Sequence, residues 1–290
     1  MRWVTVATEK GPRACGVWKG RYVDANVADH RLPSSVKEIL ALGPEGQAGA
    51  QAAIEKGTTT YDPASVRLLA PVPDPQKIIC IGLNYSDHAA ETGAPIPSEP
   101  VLFSKYPSAL IGHGEPIILP AVSNEVDFEA ELVVVIGRRG RHISSEEAME
   151  HVGGFAIGHD VSARDWQLRK PAKQWMAGKT FDTFAPVGPE LVTADEVADP
   201  HKLGIRLRLN GQTMQDSNTD RFIFRIEQVV SYLSTIMTLE AGDLIFTGTP
   251  PGVGMARKPP VWLQPGDEVE VEIDGLGVLR NPVQAAPTGI

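Results

Sequence analysis

The segment 125–137, which reads EVDFEAELVVVIG, constrains the fold of this chain more than any other part of its sequence. Four acids stand at alternate positions, and an apolar run, LVVVI, follows them without interruption. Successive side chains of a β-strand point to opposite faces, so an extended chain places all four carboxylates on one side. A run that is apolar on both faces is typical of a strand buried at least at its far end. The fold must therefore bury this strand and also accommodate its row of charges.

Two explanations of the acid row remain open at this point. A half-exposed antiparallel strand commonly has a polar face, and a solvated acidic face needs no function. Against this, like charges that are adjacent on one face repel, and no Lys or Arg is interleaved here. A buried carboxylate must be paired, protonated or bound to a cation, and Mg²⁺ and Mn²⁺ prefer oxygen ligands. Two carboxylates at positions i and i+2 could converge on one such ion.

Two further residues could complete a metal site. Asp160 ends the apolar run FAIGHD, from which a neighbouring strand could deliver its carboxylate to the same point. Lys179, in AGKTFD, could offset part of the acid excess, although an ordinary surface lysine is the simpler interpretation. Its Gly-Lys-Thr context does not indicate a phosphate-binding loop, because Lys173 occupies the place of the first glycine.

A histidine and a glutamate in LNYSDHAAETG form a second candidate group. His88 and Glu91 are three positions apart, so one helical turn would bring them together. A histidine held by a carboxylate can act as a general base near neutral pH. The turn-rich segment GAPIPS that follows is typical of a lid. His159 would point to the strand face opposite Asp160, and we interpret it as structural.

Composition excludes several classes of protein. A chain of 290 residues can hold one large core, or one core with a small appendage. Its formal net charge of -9 argues against nucleic acid or an anionic membrane as the main partner. The N-terminus lacks the apolar core of a signal peptide, and no apolar run approaches the roughly 20 residues that span a bilayer. Two cysteines without a CxxC motif fit a reducing compartment. We therefore expect a soluble cytoplasmic protein.

A proline-rich linker divides the chain into two parts. The segment LLAPVPDPQ contains three prolines within five residues, which separates a small N-terminal α/β unit, residues 1–70, from residues 71–290. Strand patterns dominate the second part, where SSEEAMEHV and FRIEQVVSYLSTI have helical patterns. The sequence thus predicts a β-rich α+β fold with the small N-terminal unit packed at its edge.

The chain from about residue 77 to 282 resembles the fumarylacetoacetate hydrolase family. The matching segments, in chain order, are GLNYSDHAAE, PVLFSKYPSALIG, EVDFEAELVVVIG, GHDVSARDWQ, KTFDTFAPVGP, LRLNGQTMQ and LIFTGTPPGVG. The first 70 residues are similar to the accessory domain of two-part bacterial members. The resemblance implies a mixed β-sandwich roll, usually a homodimer, with one Mg²⁺ or Mn²⁺ in each active site.

The resemblance also implies roles for individual residues. The family's metal ligands fall on Glu129, Glu131 and Asp160, and its catalytic dyad falls on His88 and Glu91. Its active-site lysine falls on Lys179. Its substrate-facing residues fall on Arg164, Gln167 and Thr249. Glu125 and Asp127 are then groups that support the site from outside, or solvent-exposed groups. Leu83 departs from the acylpyruvase type, which has an arginine there, and Asn84 stands where the animal enzyme has a metal-binding aspartate.

The implied function is metal-dependent hydrolysis of a carbon–carbon bond in a 2,4-diketo acid of the acylpyruvate type, giving pyruvate and a carboxylic acid. The same site would stabilise the enolate formed when oxaloacetate loses CO₂. It would equally serve a keto–enol isomerisation, or a double-bond isomerisation of the 2-hydroxyhepta-2,4-diene-1,7-dioate type. A metal-binding module without catalysis is the alternative from another class. In each enzymatic case the expected partner is a small keto acid.

Overall fold

Strands predominate in the computed structural model, which describes residues 1–287. The strands are β1 Arg2–Thr8, β2 Gly11–Trp18, β3 Arg21–Asp24, β4 Thr60–Tyr61, β5 Leu68–Leu69, β6 Ile78–Gly82, β7 Val101–Lys105, β8 Leu110–Ile111, β9 Ile117–Leu119, β10 Val126–Asp127, β11 Ala130–Ile136, β12 Val152–His159, β13 Ser162–Ala163, β14 Ala185–Thr193, β15 Gly204–Leu209, β16 Gln212–Asn218, β17 Leu244–Phe246, β18 Glu268–Ile273 and β19 Gly277–Ala285. The helices are α1 Ala25–Ala28, α2 Val36–Leu40, α3 Gly43–Lys56, α4 Ser86–Thr92, α5 Arg164–Arg169, α6 Trp175–Lys179 and α7 Ile226–Ile236. The predicted β-rich α+β class is confirmed.

Two main sheets form the body of the molecule. The larger has the strand order β4-β3-β2-β1-β14-β12-β11-β17-β6-β7, with β5 added beside β1 and β8 beside β14. The smaller has the order β16-β15-β18-β19-β9, and β18 and β19 pack against β12 and β14 of the larger sheet. The central strands β11 and β12 are buried along their whole length, as expected for strands covered on both faces. This is the mixed sandwich that the resemblance implies.

The N-terminal unit shares the larger sheet with the rest of the chain. Strand β1 pairs with β14, with Arg2 opposite Val192, and on its other side with β2. The unit also has a small apolar cluster of its own, formed by Val4, Val6, Cys15, Tyr22 and Leu68. The proposed boundary at residue 70 therefore falls just after β5. The N-terminal unit has a small apolar cluster of its own, but its strands continue the larger sheet.

The acid row is divided between two strands. Asp127 ends β10, which pairs with β13 in a separate ribbon, whereas Glu131 lies in β11 of the larger sheet. Phe128, between the two strands, is completely buried. The simple expectation of one extended strand with four carboxylates on one face is therefore wrong. The acids are divided because β10 and β11 pair with different strands, although Arg164 still contacts both Asp127 and Glu129.

The helices are short and lie outside the sheets. FRIEQVVSYLSTI forms α7 as expected, whereas SSEEAMEHV forms only turns and a single 3₁₀ turn at Ala148–His151. Within residues 1–287, none of the helices combines the length and apolar character needed to cross a bilayer.

Candidate active site

Four strand ends bring the candidate residues together at one edge of the larger sheet. Strands β6 and β17 run parallel, β11 is antiparallel to β17, and β12 is antiparallel to β11. The ends of β6, β12 and β17 therefore meet the beginning of β11. Helix α4 comes after β6, Asp160 after β12 and the segment 247–255 after β17, while Glu129 comes directly before β11.

Three carboxylates converge at this edge. Glu129, Glu131 and Asp160 are almost completely buried, and one oxygen from each lies within 4.8 Å of the others. The backbone reinforces this arrangement, because the N–H of Asp160 donates to the carbonyl of Glu129 at 2.9 Å. We call these three residues the acid trio. Buried carboxylates so close together must be offset by cations or protons.

Two buried cations, Lys179 and Arg164, offset Glu129. The Lys179 Nζ lies 2.7 Å from Glu129 Oε2 and 2.8 Å from Asp160 Oδ2. Arg164 donates through Nη2 to Glu129 Oε1 at 2.5 Å and through Nε to Asp127 Oδ2 at 2.8 Å. Burial acts to raise the pKa of Glu129, but Lys179 and Arg164 outweigh it and hold the pKa below its ordinary value.

A third buried cation, Lys105, pairs with Asp160. Its side chain is completely inaccessible to solvent, and Nζ lies 2.7 Å from Asp160 Oδ1. Burial lowers the pKa of Lys105, although the charge of Asp160 acts in the opposite direction. The sequence analysis did not single out Lys105. Its only signal is a lysine directly after the mostly apolar VLFS of a strand.

Glu131 is the member of the acid trio that lacks a cationic partner. Among residues 1–287, its side chain accepts one hydrogen bond, which the backbone N–H of Gly248 donates to Oε2 at 2.7 Å. Burial, reinforced by the charges of Asp160 and Glu129, raises the pKa of Glu131 well above its ordinary value. Four buried carboxylates, Asp127 included, thus face three buried cations. The raised pKa favours a neutral Glu131 in the metal-free protein, and its ionisation would add a fourth negative charge to a site of hard oxygen donors. Such a site fits a divalent metal ion.

The candidate dyad lies on α4 beside the acid trio. His88 Nδ1 and Glu91 Oε2 are 2.9 Å apart, and the backbone N–H of Gly252 donates to Glu91 Oε1 at 2.9 Å. Burial acts to raise the pKa of Glu91, but the hydrogen bonds from His88 and Gly252 hold it below its ordinary value. With an ionised Glu91 bound at Nδ1, Nε2 of His88 is the nitrogen free to accept a proton.

His88 of the dyad and Glu129 and Glu131 of the acid trio line one cavity of about 170 Å³. Its polar lining includes His88, Glu129, Glu131, Arg164, Gln167, Lys179 and Thr249, and its apolar lining includes Leu83, Phe103, Trp175 and Met255. Leu83 has a φ of 53°, an unusual backbone conformation for leucine. This volume is below the range of drug-sized ligand pockets, so the cavity suits a small substrate.

A family comparison matches most of the chain. The family model described as fumarylacetoacetate (FAA) hydrolase C-terminal matches residues 77–284. The chain belongs to the fumarylacetoacetate hydrolase family. The family assigned from the sequence segments is therefore confirmed.

Relatives in this family have several named activities. The oxaloacetate tautomerase fahd2, mitochondrial, of Xenopus laevis is 49% identical over 264 residues, which cover 91% of this chain and 83% of the relative. The fumarylacetoacetate hydrolase structure from Exiguobacterium antarcticum is 36% identical with a TM-score of 0.85, covering 99% of this chain and 100% of that one. The 5-carboxymethyl-2-hydroxymuconate delta-isomerase structure from Mycobacterium smegmatis is also 36% identical, with a TM-score of 0.78 and the same coverage. The chain is thus similar to a tautomerase, a hydrolase and an isomerase.

The residues expected to face the substrate in this family form hydrogen bonds with other side chains of the protein. Arg164 binds two carboxylates and also donates through Nη1 to Gln167 Oε1 at 2.8 Å. Thr249 Oγ1 accepts from Gln215 Nε2 at 2.9 Å. All three side chains line the cavity, and Arg164 donates to Asp127 and Glu129 of the acid row and to Gln167.

The two outer acids of the row have different environments. Asp127 is completely buried and accepts from Arg164 and from the backbone N–H groups of Gly254 and Met255, so the solvent-exposed alternative is wrong for this residue. Glu125 pairs with Arg169 Nη1 at 2.6 Å, nearer the surface.

The segment 247–255 supplies functional groups that the sequence analysis missed, apart from Thr249. Its backbone N–H groups bind three separate acids: Gly248 binds Glu131, Gly252 binds Glu91, and Gly254 and Met255 bind Asp127. Gly248 and Gly252 have φ near +100°, a conformation that favours glycine. The glycines of TGTPPGVG were the available signal, since they permit such backbone geometry.

Replacing Gly82 by alanine is expected to displace Trp175 from the cavity wall. A Cβ at Gly82 would lie 2.4 Å from Trp175 Cζ3, far inside van der Waals contact. We expect the free energy of unfolding to fall by roughly 1–3 kcal/mol, measured by urea denaturation. In a Trp175→Leu background the same substitution should cost less, because the smaller side chain leaves room. An equal loss in both backgrounds would show that Trp175 is not the obstacle.

Proposed function

We propose that this protein is a metal-dependent tautomerase that interconverts the keto and enol forms of oxaloacetate. The observation that carries the proposal is the shared cavity, which His88 of the dyad lines together with Glu129 and Glu131 of the buried acid trio. The relative of Xenopus laevis, which is 49% identical, supports the choice of substrate. The small volume of the cavity fits a four-carbon acid.

The proposed metal is Mg²⁺ or Mn²⁺, held by Glu129, Glu131 and Asp160. Carboxylate oxygens are the ligands these ions prefer, and within residues 1–287 Glu131 has no salt bridge of its own. When bound, such an ion supplies Lewis-acid polarisation of a 2-oxo carbonyl.

The dyad would move the proton. Nε2 of His88 takes a proton from C3 of the keto form, the electron pair of that bond forms the C2–C3 double bond, and the carbonyl pair moves to the C2 oxygen. Glu91 stabilises the imidazolium that results, because its carboxylate stays bound at Nδ1. Return of the proton to the oxygen gives the enol, so no atom is gained or lost.

Lys179 would stabilise the enolate oxygen. An ammonium has three N–H donors, and the side-chain contacts of Lys179 engage two of them, on Glu129 and Asp160. The remaining donor is available where negative charge develops on the substrate. A buried cation is effective in this role because little water screens it.

Hydrolysis of a 2,4-diketo acid is the second candidate. The same dyad could take a proton from water, and the hydroxide would attack the distal carbonyl and release pyruvate enolate. The dyad favours this candidate over decarboxylation, since loss of CO₂ from oxaloacetate needs no general base to activate water. The cavity and the cations would serve both reactions.

The deciding experiment compares products from one enzyme preparation with Mg²⁺ or Mn²⁺. Enol oxaloacetate is followed by its ultraviolet absorbance, while pyruvate, CO₂ and any second acid are measured from oxaloacetate and from a panel of acylpyruvates. We expect rapid equilibration of enol and keto forms without pyruvate. Pyruvate with CO₂ would indicate a decarboxylase, and pyruvate with a carboxylic acid a hydrolase. Metal binding without turnover of any substrate would leave a binding module and overturn the proposal.

A further inference from the structure

Lys105 is a buried cation with no exposure to the cavity or to solvent. Its side chain is 0% exposed, and it does not belong to the residues that line the cavity. Removing an ammonium from water is costly unless every donor finds a partner. Lys105 lies next to Asp160, and the contacts of its ammonium group indicate its role.

The ammonium of Lys105 connects several segments of the site. Nζ donates to the carbonyls of Val161 at 3.0 Å and Phe184 at 2.7 Å, and to the carbonyl of Lys179. Its fourth oxygen neighbour is Asp160 Oδ1, at 2.7 Å. The three donors are thus matched by three carbonyls, one of them that of Lys179, and the contact with Asp160 Oδ1 is an ion pair without a hydrogen bond.

We propose that Lys105 is a positioning residue, which fixes the carboxylate of Asp160 and the backbone of Lys179 so that the acid trio can bind a metal ion. This inference rests on the proposed metal site. Two ammonium groups flank the carboxylate of Asp160, since Lys105 Nζ lies 2.7 Å from Oδ1 and Lys179 Nζ lies 2.8 Å from Oδ2. The Asp160 N–H bond to Glu129 fixes the other end of the same residue.

A second contact set separates this role from simple charge compensation. Charge compensation and positioning predict opposite effects on metal binding. Because four buried carboxylates face three buried cations, losing the charge of Lys105 would by itself make the site more attractive to a metal ion. The three carbonyls bound by Lys105 belong to segments on which Asp160 and Lys179 depend for their positions. Groups that orient metal ligands in this way typically contribute 10- to 100-fold to metal affinity.

Lys105→Met tests the proposal through metal affinity in the full-length protein. Mn²⁺ is titrated into metal-free protein, and free Mn²⁺ is measured by electron paramagnetic resonance. We expect the dissociation constant to rise about 10- to 100-fold. The matched control is Lys77→Met, which removes an ammonium 2.8 Å from the buried Asp243, a carboxylate outside the acid trio. The control is expected to lower thermal stability without changing Mn²⁺ affinity.

The outcomes separate this inference from the proposed function. Wild-type affinity in folded Lys105→Met, or an equal loss in Lys77→Met, would overturn the positioning role while leaving the metal site intact. Absence of Mn²⁺ binding by the wild-type protein would overturn the metal site, and this inference with it. If Lys105→Met does not fold, a wild-type crystal structure with Mn²⁺ decides. Oδ2 on the ion with Oδ1 still on Lys105 supports the role, and both oxygens on the ion contradict it.

Discussion

Replacing Glu131 by glutamine is expected to abolish metal binding and, at the same time, to stabilise the metal-free protein. Glu131 is a buried carboxyl group with no salt bridge among residues 1–287, and folding favours its neutral form. Glutamine therefore removes the cost of burying an ionisable group and keeps the acceptor for Gly248 N–H. We expect the free energy of unfolding to rise by roughly 1–3 kcal/mol, the scale of an incompletely satisfied buried polar group. Mn²⁺ affinity should fall by more than about 100-fold, beyond the effect of losing an outer partner.

The stability difference should depend on pH with a definite sign. Folding raises the pKa of Glu131 above its ordinary value of 4.5, so the protonated form is favoured in the folded state. The stabilisation from this group is fully present below pH 4.5 and is lost as the pH rises through the raised folded value. The advantage of Glu131→Gln over the wild type should therefore grow as the pH increases through that interval.

Glu129→Gln is the matched control. Glu129 has ion pairs with Arg164 and Lys179, so its loss should weaken metal binding and also destabilise the metal-free protein. Urea denaturation with a chelator present, together with Mn²⁺ titration, measures both properties. Equal destabilisation by the two substitutions would contradict the charge arrangement described for the site.

Replacing His88 by alanine is expected to lower kcat/KM for tautomerisation about 10²- to 10⁴-fold, the usual contribution of a general acid–base group. His88 lines the cavity and is oriented by Glu91, but it is outside the acid trio. Mn²⁺ affinity should therefore stay at the wild-type value. Enol absorbance measures the rate, and the Mn²⁺ titration tests the integrity of the site.

Glu91→Gln gives a graded comparison for the dyad. Glutamine can still contact His88 but cannot stabilise the imidazolium by charge, so a smaller loss than in His88→Ala is expected. Comparable turnover by His88→Ala and the wild type would rule out His88 as the base. A large loss of Mn²⁺ affinity in the same variant would indicate that His88 contributes to metal binding instead.

Local sequence patterns predicted the parts of the site that depend on the type and spacing of side chains. Alternation in the acid row predicted that two carboxylates could converge, and the family resemblance assigned them to Glu129 and Glu131. The spacing of His88 and Glu91 predicted a contact across one helical turn, which the structure contains. Lys105 carried no such signal, because a lysine at the end of a strand is usually exposed. The backbone donors of the segment 247–255 have no side-chain signature at all.

The fold was predictable as a class but not in its connections. Strand patterns and the family resemblance indicated the β-rich sandwich, whereas the pairing of Arg2 with Val192 joins residues far apart in the chain. Local periodicity contains no information on such long-range pairing. The break at Phe128 was missed for a related reason, since it depends on which partner each short strand finds.

The backbone contacts of the segment 247–255 have a consequence for how this family can diverge. A main-chain N–H does not depend on side-chain chemistry, but three of these donors belong to glycines whose surroundings leave no room for a side chain. A Cβ would lie 2.9 Å from the nearest atom at Gly248, 2.1 Å at Gly252 and 2.0 Å at Gly254. An insertion or deletion would also shift the donors out of register with the acids that they bind. Natural variation here should therefore spare both these three glycines and the length of the segment.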